Sequence, residues 1–144
     1  MNRNLGNKIK VLGLSLQSRY LHEKDYTQIQ NCKKYNISLV NLLYNPLFPQ
    51  AHSKFFSMIK KNNLDLITRV PFARGVLFKK VEGISNKEFT EKNIKKAHKR
   101  IKDFTKYKKI NLNILDWVQE KSNCKSIVLG CSSVSQIKEN SILK

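Results

Sequence analysis

Hydrophobic residues gather in four short runs along the chain, at 8–14, 37–42, 64–70 and 126–130, each rich in Ile, Leu or Val. Runs of this length and composition predict β-strands. The first three begin about 28 residues apart, which leaves room for one helix and two loops. Helical patterns fill the gaps, over 23–34, 52–62, 87–106 and 111–121, and a last helix is predicted over 134–142. Within 87–106, Ile94, Ala97, Ile101 and Phe104 lie 3, 4 and 3 positions apart, so one face docks while the lysines face water. Strands alternating with helices imply parallel pairing through crossover connections. The fold class is therefore α/β, with a parallel sheet and no domain boundary between residues 1 and 144. Few charges interrupt the strand runs, which predicts strands buried on both faces under an outer layer of helices.

In such folds ligands bind at the carboxyl ends of the strands. The loops that follow the four runs, at 15–18, 44–46, 71–75 and 131–133, all lie at that end. The segment 76–85 has no clear period and is predicted to be a loop over the same face. Pro46, Pro49 and Pro71 fall in connections, where a missing N–H costs little.

Charge changes the picture only in part. The chain has 28 Lys and Arg against 10 Asp and Glu, a formal net charge of +18. The excess is lysine, 23 against 5 arginines, beside 15 Asn and 13 Ile. Such a composition follows from an A+T-rich coding sequence as readily as from a polyanion-binding surface, which would lose affinity steeply with salt. No zinc-finger spacing and no aromatic RNA-binding motif accompanies the lysines, so nucleic acid is the weaker reading.

Other classes are excluded. Hydrophobic residues make up 40% of the chain, enough for a core and too many for a disordered tail. No run of about 18 apolar residues could span a membrane, and the first residues do not look like a secretory signal. Three cysteines, Cys32, Cys124 and Cys131, lack metal-site or disulfide-frame spacing and predict a reducing, cytoplasmic compartment. Neither a metal site nor a catalytic constellation is expected. His22, His52 and His98 stand without a paired carboxylate near a strand end. Cys131 has no histidine nearby in sequence to activate it and reads as a small turn residue.

Gly130 opens the turn into the last helix, and Ser132, Ser133 and Ser135 are its candidate N-caps. Free N–H groups and hydroxyls there suit a phosphate.

Taken in order, these segments resemble the C-terminal half of the aldo/keto reductases, NADP-dependent barrel oxidoreductases. Residues 8–15 are similar to that family's fifth strand, G-K-I-R-x-x-G-x-S-N. Asn41-Leu42-Leu43-Tyr44-Asn45 resembles the Q-x-x-Y-N of the sixth, and residues 69–77 the R-x-P-L-A-x-G-x-L of the seventh. Leu115-Asp116-Trp117-Val118 looks like the A-L-x-W helix before the last strand. Residues 127–140 resemble I-P-G-x-x-x-x-x-Q-x-x-E-N, with Gly130, Gln136, Glu139 and Asn140 in register.

The resemblance implies four strands of an eight-stranded barrel, since a whole one needs about 250 residues. It also implies NADP, with NAD possible because Ser132 stands where the family often has a basic residue. Ser15 and Asn41 would hold the nicotinamide carboxamide, with Leu16 replacing the second amide. Arg69 would stack on the ring, and Val70 to Phe72 would pass the pyrophosphate. Gly130, Ser132 and Gln136 would meet the adenosine phosphate, and Asn140 the adenine. Each has a plainer reading: Asn41 as a satisfied buried amide, Arg69 as an ion-pair partner, Gln136 and Asn140 as helix-surface residues. Trp117 is expected in the core.

The family's catalytic Tyr, Lys, Asp and His belong to the first half of the barrel and match nothing in this sequence. A half-barrel would present open edges and an apolar inner face, which predicts pairing with an N-terminal half-barrel or with itself. A small carbonyl substrate is expected only in the completed barrel. A non-catalytic half-barrel module of a split enzyme, or an interaction protein, is the rival reading.

Overall fold

The structure, a computed structural model, describes residues 9–16, 25–49, 51, 53–78, 89–104 and 106–141. Four strands form one sheet in chain order: β1 (Leu12–Leu16), β2 (Ile37–Leu43), β3 (Asp65–Arg69) and β4 (Ser126–Val128). All three pairings are parallel. The helices are α1 (Thr27–Asn31), α2 (Ser53–Lys61), α3 (Glu91–Ile101), α4 (Ile110–Ser122) and α5 (Val134–Asn140). The arrangement is α/β, as the alternating pattern predicts, and fits part of a TIM-type barrel.

Three connections into strands use one device. Asn36, Asn63 and Asn123 each adopt a left-handed conformation, with φ of 54°, 52° and 48°, just past a helical segment. There the chain turns, and Ile37 N–H donates to Cys32 O at 2.9 Å while Leu64 N–H donates to Ile59 O at 3.1 Å. This is the helix stop that glycine most often supplies, and asparagine tolerates it.

One face of the sheet is packed. Leu16, Val40, Leu42, Leu66 and Thr68 are buried on it, flanked by the half-buried Leu14 and Ile127. Phe55 and Ile59 of α2, Ile94, Ala97 and Ile101 of α3, and Ile114, Trp117 and Val118 of α4 complete that core. The docking face predicted for α3 is therefore correct, and its lysines face outward. Thr90 caps α3, accepting from Asn93 N–H at 3.3 Å. Trp117 lies in the core and stacks on Tyr44 with ring centroids 5.3 Å apart.

The opposite face corrects an expectation. Gly13, Ser15, Ser126 and Val128 are exposed on it, and Leu39, Asn41, Ile67 and Arg69 are half-buried. The strands are not buried on both sides, because α1 to α4 bury their residues in the core on one side and the other is the concave face of a partial ring.

Element boundaries also differ. The first strand begins at Leu12 rather than residue 8 and extends through Ser15 and Leu16. Its partner cannot reach further back, since Asn36 turns left-handed just before Ile37, the residue opposite Leu12. Ile9 and Val11 are consequently exposed. The fourth strand stops at Val128, where its pairing with β3 ends. The helix predicted over 23–34 is a short α1 followed by a 3-10 turn, Lys33–Tyr35. The helix predicted over 87–106 spans only Glu91–Ile101. The loop predicted from residue 76 contains instead the end of a 3-10 segment, Ala73–Phe78. Residue 8, loop residues 17 and 18, Tyr20, His22, residues 23 and 24, His52, residues 79–88 and residue 142 lie outside the described residues.

Candidate functional site

An open cleft of about 970 Å³ lies at the carboxyl ends of β3 and β4. Its walls come from the 69–78 turn, the 128–132 loop, the exposed side of α5 and the start of α4. It gathers seven of the sequence candidates: Arg69, Val70 and Phe72 from the first wall, Gly130 and Ser132 from the second, Gln136 and Asn140 from the third. Ser15 and Asn41 do not line it. They sit one behind the other on the concave face, in direct register with each other across β1 and β2. Arg69 lies on that same face, one strand over and two residues further along the register.

The polar atoms of this face are unusual. Asn41 Oδ1 and Arg69 Nε are buried and have no hydrogen-bond partner among the described residues. Buried polar groups without partners cost free energy, and nearly all such groups in folded proteins are paired. The Asn41 amide is thus not fully satisfied, and Arg69 forms no ion pair among the described residues. Leu16, by contrast, turns to the helix side and is fully buried, so its side chain does not reach the concave face.

The first wall is held in a costly shape. Val70, Ala73 and Arg74 have φ of 58°, 47° and 56°, and Gly75 has 83°. Only the last escapes the steric cost of the left-handed region, and for the β-branched Val70 this conformation is a true outlier. Strain of this kind persists where surrounding contacts over-determine it. Phe72 packs on Phe78 with centroids 5.1 Å apart, giving the cleft an aromatic flank. Phe78, Ile110 and Val128 expose large apolar surfaces along it.

On the opposite wall the loop is fastened to α5. Gln136 Oε1 accepts from Ser132 N–H at 2.8 Å and from Ser132 Oγ at 3.2 Å. Ser133 is the N-cap, accepting from Gln136 N–H at 3.3 Å. The Ser132 N–H expected to be free for an anion is thus already donated within the chain. Asn140 accepts from Asn111 Nδ2 at 2.9 Å and donates to Cys131 Sγ at 3.8 Å. Glu139 pairs with Lys109 at 3.6 Å, leaving Arg69 and Arg74 as the other charged groups of the lining. The cleft is positive and part-apolar, a surface suited to an anionic ligand with a flat ring.

Sequence reasoning missed Arg74, Asn111 and the apolar flank. Arg74 stood inside the quoted seventh-strand motif with no role attached. Asn111 carries no local signal, since its partner Asn140 is 29 residues away.

The family model of the aldo/keto reductase family matches residues 7–142. The chain belongs to the aldo/keto reductase family, whose members are oxidoreductases that generally use NAD(P)H. No curated protein matches it. Among the described residues no helix is long and apolar enough to cross a membrane.

Proposed function

We propose that this chain is the cofactor-contacting C-terminal half of an aldo/keto reductase barrel, and that its concave face and cleft bind NADP(H). The carrying observation is the pair of orphaned polar atoms, Asn41 Oδ1 and Arg69 Nε, on one sheet face that runs into a positive cleft. An acceptor without a donor, beside the hydroxyl of Ser15, fits a carboxamide. A guanidinium with an unused N–H fits a planar ring or a phosphate. In this reading Ser15 and Asn41 orient the nicotinamide and Arg69 stacks on it. Val70 and Phe72 flank the pyrophosphate. Gly130, Ser132 and Gln136 face the adenosine phosphate, once Gln136 exchanges its bonds to Ser132, and Asn140 faces the adenine. NAD is the alternative cofactor. When bound, the reduced dinucleotide supplies a hydride to a carbonyl carbon.

This chain's own part is to bind and orient. Tyr26 and Tyr44 are buried in the core, and no described tyrosine lines the cleft. Burial pushes the Tyr44 hydroxyl up to about 12, although Arg100 pulls it the other way, so this group does not release a proton near neutrality. The proton donor and the pocket for a small carbonyl substrate then come from the four further strands of an N-terminal half-barrel, whereas a second copy of this chain would cover the open face without supplying either. Alone, the chain acts as a non-catalytic binding module. Its three cysteines are free, two of them buried, which suits a reducing cytoplasm.

Fluorescence titration with NADPH tests the reading. Saturable binding that weakens about tenfold in Asn41→Leu and Arg69→Met supports it. Absence of binding, with and without a completing half-barrel, overturns it. Retention by an oligonucleotide but not by NADPH would favour a polyanion-binding protein through the outward lysines of α3.

A further inference from the structure

Two loops meet at the rim of the concave face. The turn after β2, residues 44–48, has ordinary backbone geometry, whereas the turn after β3 carries Val70, Ala73 and Arg74 in the left-handed region. Among the described residues one side chain hydrogen-bonds from one to the other. Asn45 is fully buried, and its Oδ1 accepts from Leu47 N–H at 3.0 Å and from Phe48 N–H at 2.9 Å. Its Nδ2 donates across to Val70 O at 2.9 Å, 25 residues away in sequence.

We infer that Asn45 is a positioning residue that locks the left-handed turn after β3 into the shape that walls the cleft. The chemistry of the amide makes it suited to this task. One end is an acceptor that closes its own turn, and the other is a donor aimed at the carbonyl of the most strained residue. An amide is one of the few groups able to do both at once, and the bonds are worth most where water is excluded. The lock is itself braced. Arg100 of α3 donates to Pro46 O at 2.7 Å, which fixes the residue next to Asn45. The Nε2 of His98, on the same helix, lies 3.0 Å from Leu77 O at the far end of the turn. Without the bond from Asn45, the carbonyl of Val70 keeps only the 3.2 Å bond from Ala73 N–H, which lies within the same turn, and nothing from the β2 side holds the backbone against relaxing to negative φ. The turn would then carry Pro71, Phe72 and Arg74 away from their places along the cleft.

That the cleft takes a dinucleotide rests on the preceding reading, but the lock does not, and two arms of one experiment separate them. Asn45→Asp is the selective variant. It keeps both acceptor roles for Leu47 and Phe48, so the β2 turn survives. In mildly alkaline buffer it presents an ionised oxygen to Val70 O in place of a donor.

The first arm needs no ligand. Amide hydrogen exchange is followed at Ala73, whose N–H donates to Val70 O, and at Gly75, whose N–H donates to Phe72 O. Exchange at both is expected to quicken about tenfold in Asn45→Asp, the size expected for one buried hydrogen bond, while Phe48 stays protected. The second arm is NADPH affinity in a double-mutant cycle with Val70→Gly, which removes the cost of the left-handed backbone. Affinity is expected to fall by the same factor as the locked fraction of the turn. In the Val70→Gly background the penalty of Asn45→Asp should shrink below about twofold.

Unchanged exchange at Ala73 and Gly75 overturns the lock. So does an Asn45→Asp penalty equally large in both backgrounds, which would mark general damage to the fold. Wild-type protein that binds no NADPH sinks the dinucleotide reading, and the exchange arm still decides the lock.

Discussion

The two faces of the sheet are built from the same strands and follow opposite rules. On the helix-covered side every position from Val40 to Leu42 and from Leu66 to Thr68 that points inward is sealed, and even the hydroxyl of Thr68 sits 3.6 Å from Cys124 Sγ. On the concave side the alternate residues are exposed or half-buried, and two buried polar atoms have no partner among the described residues. One side stabilises the chain. The other holds back contacts that a ligand or further strands would satisfy. The difference is one of parity: along each strand alternate residues are sealed or left open, residue by residue.

Substitutions on one strand give the sharpest test. Leu42→Ala, on the sealed side, is expected to lower unfolding free energy by about 2–5 kcal/mol in urea titrations. Leu39→Ala, on the concave side of the same strand, should cost below about 1 kcal/mol, because the removed atoms leave no enclosed cavity. Equal losses would erase the distinction between the faces. The next effect should have the opposite sign. Asn41→Leu and Arg69→Met replace unpartnered polar atoms with apolar ones and should each raise stability by about 1 kcal/mol. On the proposed reading they should at the same time weaken NADPH binding, a trade confined to the concave side.

A pH scan probes the sealed side. The Tyr44 hydroxyl is raised by burial from 10.0 to about 12, so the folded form favours the protonated phenol. Its stabilising share is complete below pH 10 and is lost as pH rises through about 12. Tyr44→Phe should flatten that part of the melting-temperature profile. The smallest effect concerns the helix stops. Asn63→Gly should stabilise by about 0.5 kcal/mol and Asn63→Val should destabilise by about 1–2 kcal/mol, measured by thermal melts.

Much of the scaffold was legible in the sequence. The four runs, their parallel order and the docking face Ile94–Ala97–Ile101 follow from periodicity, because burial in water selects apolar residues at fixed repeats. Three features were not legible. Where the first strand pairs depends on the left-handed Asn36 beside its partner, a matter of register between segments 25 residues apart. The exposure of the concave side depends on what stands opposite the sheet, and strands meant to line a ring read as apolar as strands buried under helices. Asn45 was visible as the last letter of a motif, but its bond to Val70 exists only once the two turns are side by side. Within the candidate site, the seven cleft residues were named through the resemblance. Their existing bonds, above all Gln136 to Ser132, came from the geometry alone.

The order of the strands in space is the order in which they occur along the chain. Each new strand therefore pairs with the strand made just before it, across one connection that holds a single α-helix before β2 and β3 and two, α3 and α4, before β4. Assembly can advance in one direction during synthesis, each completed unit serving as the template for the next. Every stage of that growth carries two bare margins of backbone donors and acceptors, on β1 and on the newest strand, and the second stays open to mispairing for as long as the next connection takes to make.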